Sequence, residues 1–104
     1  MTSYANRTDK NQAEIVALFR ELGYSVQPLN AQKSGVPDLL VAKDETFLVE
    51  VKTKKGRLTP AQKKFHAKWL GKIYIVKELG DVLNIFHKLK RSINDCPRSS
   101  VKQG

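Results

Sequence analysis

Three side chains carry the chemistry open to this chain: Asp38, and then Glu50 and Lys52 two positions apart. They interrupt two short apolar runs, Gly35-Val36-Pro37-Asp38-Leu39-Leu40-Val41-Ala42 and Phe47-Leu48-Val49-Glu50-Val51-Lys52. Runs of this length and composition read as strands that are at least half buried. A lone carboxylate inside such a run costs several kcal/mol unless something satisfies it, so each acid requires a partner. Positions i and i+2 of a strand share a face, which sets Glu50 and Lys52 side by side. Asp38 reaches them if the two strands pair as neighbours. Two carboxylates so placed can hold a hard divalent cation with an ammonium beside it, a set suited to phosphodiester chemistry.

Each residue also has a plainer reading. Asp38 follows a proline and could simply cap a turn. Glu50 and Lys52 could form a surface ion pair without any metal. That pair would leave unexplained why both interrupt an apolar strand next to Asp38.

Five further elements must position these residues. Ile15, Leu18, Phe19 and Leu22 recur at i, i+3, i+4 and i+7, the apolar face of a helix that Thr8 or Asp9 caps and Gly23 ends. Tyr24 to Leu29 reads as a first strand, with Pro28 marking an edge or a strand end. Strands over 38–43 and 46–53 flank the turn Lys43-Asp44-Glu45-Thr46, a spacing that predicts an antiparallel hairpin. Thr59-Pro60-Ala61-Gln62 announces a helix: threonine at the N-cap, proline at the first position, glutamine at the third to close a capping box. That helix is expected to reach about Leu70, with Phe65 and Trp69 as a core stripe. Lys72 to Lys77 makes a fourth strand. A last helix from about Asp81 presents Val82, Ile85, Phe86 and Leu89 on one side.

The order is α-β-β-β-α-β-α, and a strand–helix–strand crossover implies one parallel pair. The expected architecture is therefore an α/β layer with a mixed central sheet flanked by helices. Residues 1–8 are expected to be a flexible start, 9–91 the single domain, and 92–104, which lack periodicity, a tail.

With 104 residues the chain suits one core. Nineteen Lys and Arg against 10 acids leave a net charge of +9, which points to a polyanion partner, most commonly nucleic acid, or more plainly to a solubilising surface. No stretch is apolar enough to span a membrane, and the first residues lack the charged-then-apolar pattern of a signal peptide. The single cysteine, Cys96, forms no internal disulfide, so a reducing cytoplasm is the expected compartment. No glycine-rich phosphate loop suggests a nucleotide cofactor.

Glu14, then Gly35-Val36-Pro37-Asp38, Glu50-Val51-Lys52 and Leu58-Thr59-Pro60-Ala61-Gln62 together resemble the VRR-NUC domain. That family lies in the PD-(D/E)XK nuclease superfamily, whose restriction-endonuclease-like core has the same αβββαβ order. The resemblance covers about residues 9–78. It implies that Asp38 and Glu50, with the backbone carbonyl of Val51, hold Mg²⁺ or Mn²⁺ while Lys52 orients the attacking water. It also implies that Glu14 approaches the metal and that Gln62 lies near the active site, although a capping box alone accounts for Gln62. Small stand-alone members act on branched DNA, such as Holliday junctions, as homodimers in bacteria or phage-infected cells. The alternatives are a nuclease on duplex or flapped DNA without junction preference and a non-catalytic DNA-binding module.

Lys33, Lys54, Lys55, Arg57, Lys63, Lys64 and Lys68 flank these motifs and are the expected contacts to DNA phosphates. His66 and His87 have no acid spaced to orient them and are expected to be solvated or half buried.

Overall fold

The computed structural model describes residues 3–29 and 35–95. The expected αβββαβ core with a further C-terminal helix is present: α1 (Ser3–Glu21), β1 (Ser25–Pro28), β2 (Leu39–Ala42), β3 (Thr46–Val51), α2 (Pro60–Lys68), β4 (Ile73–Val76) and α3 (Leu79–Asp95). The strands lie side by side in chain order, with β1–β2 and β2–β3 antiparallel and β3–β4 parallel. The hairpin and the crossover through α2 are both as expected.

Register assigns the two faces of the sheet. Val26, Val41 and Phe47 lie opposite one another across three strands, as do Leu39, Val49 and Tyr74, and Val51 pairs with Val76. These side chains pack with Ile15, Val16 and Phe19 of α1 and Val82, Ile85 and Leu89 of α3 into one core. Tyr24, Phe47 and Tyr74 line up edge to face through it, an arrangement favoured by the ring quadrupoles. The opposite face carries Leu40, Leu48, Glu50, Ile73 and Ile75, and α2 lies on that side.

Four local expectations change. Helix α1 starts at Ser3, ahead of the Thr8 or Asp9 cap expected for it. Helix α3 begins at Leu79, because Asp81 is its third residue and accepts from the Glu78 and Lys77 N–H groups, half of a capping box. It runs on to Asp95, into the stretch expected to be tail; residues 96–104 lie outside the described residues. Phe65 and Trp69 are not a core stripe. Their rings stack on each other at 5.3 Å, Phe65 is half buried and Trp69 is 46% exposed.

Candidate functional site

Glu50 is the one buried charged side chain among the described residues, 1% exposed on the face of β3 away from the main core. Three segments bring its neighbours to it. The first is the β2–β3 hairpin. Leu39 pairs with Val49, so Asp38, one residue before β2, falls opposite Glu50. Its carboxylate Oδ2 accepts the Val51 N–H at 2.8 Å, extending the ladder with a side chain, while its own carbonyl accepts the Leu29 N–H at 2.8 Å. Asp38 is thus held across the sheet and not by a local turn. Since the Val51 N–H points to Asp38, the Val51 carbonyl leaves the strand on the same side.

The second segment is α2. Thr59 caps it through the full reciprocal box: Thr59 Oγ1 accepts the Gln62 N–H at 3.1 Å, and Gln62 Oε1 accepts the Thr59 N–H at 2.8 Å. That second bond fixes which way the Gln62 amide faces, and its Nε2 then donates to Glu50 Oε2 at 3.0 Å. Capping and contact with the acid were alternatives in the sequence. In the structure one amide does both, using its two ends.

The third segment is the stretch before Asp38. Gly35 has φ +77°, and a Cβ there would overlap the Ala61 carbonyl in the first turn of α2. Only glycine lets this backbone lie against the helix while holding that conformation. Together with the fully buried Pro37, the segment helps close water away from Glu50.

The electrostatics follow from this burial. Desolvation, and then the Asp38 charge, push the Glu50 carboxyl from 4.5 up to about 8, against a smaller lowering by Lys52. Lys52 Nζ lies 3.9 Å from Glu50 Oε2, a loose pair, with the lysine side chain 15% exposed. Glu50 Oε1 is buried and has no hydrogen-bond partner. A buried acid with one oxygen unmet and a second carboxylate opposite is the condition a hard cation relieves. Two carboxylates and a backbone carbonyl are hard oxygen donors, the kind a divalent cation takes.

Sequence reasoning passed over His66. It stands one helical turn after Gln62, is half buried, and its Nε2 is also buried without a partner. Burial, and then the positive charge of Lys52, lower its pKa and so favour the neutral imidazole. The signal was present as an i, i+4 spacing from Gln62, which places both on one helix face.

Glu14 is not brought to the acid pair. It is exposed and lines a separate cleft with Lys10, Asn11, Thr53, Lys54 and Lys77. Among the described residues no three Asp, Glu, His or Cys side chains are grouped closely enough to share a metal. Lys54, Lys55, Arg57, Lys63, Lys64 and Lys68 are all exposed; Lys33 lies outside the described residues. No helix among the described residues is long and apolar enough to cross a membrane.

An acid at the mouth of one strand, Glu-x-Lys on its antiparallel neighbour and the αβββαβ order define a nuclease fold of the PD-(D/E)XK class. Residues 6–77 match the VRR-NUC domain, and the chain belongs to that family of nuclease domains. It is similar to a solved structure described as a VRR_NUC domain, with a TM-score of 0.66 and 25% sequence identity over 77% of this chain and 94% of that one. Comparison with curated proteins gives no match.

Proposed function

We propose that this chain is a divalent-metal-dependent endodeoxyribonuclease that selects branched DNA, Holliday junctions among its substrates. The observation that carries the reading is Glu50: a carboxylate buried at 1% exposure, one oxygen without a partner, opposite Asp38 and beside Lys52. Stability alone gives no reason to keep such a group, since an apolar residue would fill the position without the desolvation cost.

Asp38, Glu50 and the Val51 carbonyl would hold Mg²⁺ or Mn²⁺. The ion, when bound, neutralises phosphate charge and lowers the pKa of water. Gln62 fixes Glu50 Oε2, so the carboxylate meets its ligand already oriented. Lys52, paired with Glu50, would orient the attacking water and the scissile phosphate.

Structure selectivity is favoured over sequence selectivity because the exposed groups flanking the site are lysines and Arg57 in a loop and on α2. Such groups bind phosphates without reading base edges. A homodimer is supported by the apolar surface left open, with Trp69 at 46% and Leu70 at 101% exposure. A two-fold pair would bring two sites to one junction.

The test is cleavage of labelled four-way, flapped and linear duplex DNA in Mg²⁺ or Mn²⁺, beside EDTA and Glu50→Ala controls. Cutting of four-way DNA that disappears in both controls is expected. Binding without cutting on every substrate and metal would leave a DNA-binding module instead.

A further inference from the structure

The carboxyl ends of the parallel strands β3 and β4 open against α1 in a cleft of about 260 Å³. Crevices at this place in α/β sheets are where ligands collect. Its lining is Lys10, Asn11, Glu14, Thr53, Lys54 and Lys77. Asn11 Nδ2 donates to the carbonyls of Lys52 and Lys77, at 3.4 Å each, and so ties α1 to the ends of both strands. The cleft therefore starts at the residue after Lys52 and is braced against the catalytic strand.

Its charge has no internal explanation. The two ion pairs among the described residues are Lys52–Glu50 and Lys72–Glu45, and neither involves a cleft lysine. Among the described lining residues Glu14 is the one carboxylate, so three ammoniums less one acid leave a formal +2 there. A threonine hydroxyl and an open mouth complete a site for a small, hard, singly or doubly charged anion. Among the described residues that line it none is aromatic, so its lining offers charge and not a stacking platform.

We propose that this cleft seats a backbone phosphate of the bound DNA close to the scissile one, and so sets the path of the strand past the acids. The identity of the anion's bearer rests on the nuclease reading above. Glu50 to Thr53 spans at most about 10 Å of extended chain, which limits the seated phosphate to within a few nucleotides of the cut.

The test compares the wild type with Lys10→Ala/Lys77→Ala and with Lys88→Ala/Lys90→Ala on α3. The two pairs remove equal charge, so a general loss of field affects both alike. DNA binding is read by fluorescence anisotropy in EDTA across salt concentrations, after thermal melts have shown both variants folded. The cleft pair is expected to weaken binding roughly tenfold and flatten the log–log salt slope by about 1, with the α3 pair changing it little. Single neutral methylphosphonates are then placed along the scissile strand. One position within about three nucleotides of the cut is expected to weaken the wild type and to add nothing to the cleft variant. Equal weakening by both pairs, or identical methylphosphonate maps for wild type and cleft variant, would overturn the proposal. The binding measurements need no cleavage, so a wild type that binds but does not cut counts against the nuclease reading alone.

Discussion

Replacing Glu50 by glutamine should make the metal-free protein more stable while ending its activity. Glutamine resembles the protonated acid. Its carbonyl still accepts from Gln62 Nε2, and its amide can donate toward Asp38 where the carboxyl proton would sit. The folded-state pKa of Glu50 is raised from 4.5 to about 8, so between these values the folded chain holds a proton that the unfolded chain releases. By linkage, stability falls as pH rises through that window; the contribution is complete below 4.5 and lost by about 8. At 1.36 kcal/mol per pKa unit, wild type loses about 3 kcal/mol relative to Glu50→Gln by pH 7. For a chain of this size each kcal/mol moves Tm by roughly 4–8 °C. The assay is urea and thermal unfolding of both proteins in EDTA at half-unit steps from pH 5 to 9, repeated with Mn²⁺. In EDTA the variant should gain on wild type as pH rises. With Mn²⁺ wild type should recover, by about 2.7 kcal/mol at a hundredfold excess over Kd, and the variant should not. A stability difference that stays flat from pH 5 to 8 would show that Glu50 is not held protonated by burial, and its environment would then give no reason for a cation at this site.

Thr59→Ala should cost about 1 kcal/mol through loss of the cap alone, while Gln62→Ala should cost a similar amount and also lower cleavage at least tenfold, about 1.4 kcal/mol in the barrier, by freeing Glu50; urea midpoints and initial rates separate the two. Gly35→Ala should destabilise by more than about 2 kcal/mol, because the new methyl meets both the Ala61 carbonyl and a positive φ, whereas Gly23→Ala should cost about 1 kcal/mol, its neighbour being the flexible end of Lys43; paired urea melts measure the contrast. His66 has a lowered folded pKa, so His66→Phe should gain stability relative to wild type as pH falls below 6.5; the difference between their urea midpoints at pH 5 and 7 shows it.

The parts of the site that follow from strand geometry were legible in the sequence. Period-two alternation alone puts Glu50 and Lys52 on one face, and a three-residue loop between Ala42 and Thr46 leaves little freedom over register. Asp38 then has to fall opposite Glu50. The capping box of α2 was equally readable, because it is closed within four consecutive residues. What periodicity does not carry is the depth at which a face ends up. Phe65 and Trp69 have the spacing of a core stripe, yet α2 contributes no buried residue. Glu14 has a defined place on α1, but the roll of that helix on the sheet, set by Ile15, Val16 and Phe19, turns it toward the lysine cleft and away from the acid pair.

Gln62 shows why the remaining contacts could not be read from local pattern. Its bond to Glu50 depends on α2 crossing back over the sheet, and that closeness depends in turn on Gly35 having no side chain to hold the helix off. Three segments far apart in the chain must therefore agree before the acid is both buried and oriented. Each has a sufficient local reason to be what it is: a cap, a turn glycine, a strand residue. The requirement that joins them is the cost of Glu50, which no local reading includes. A carboxyl group held at 1% exposure with an unmet oxygen is costly, and the Gln62 amide and the loose Lys52 pair offset only part of that cost.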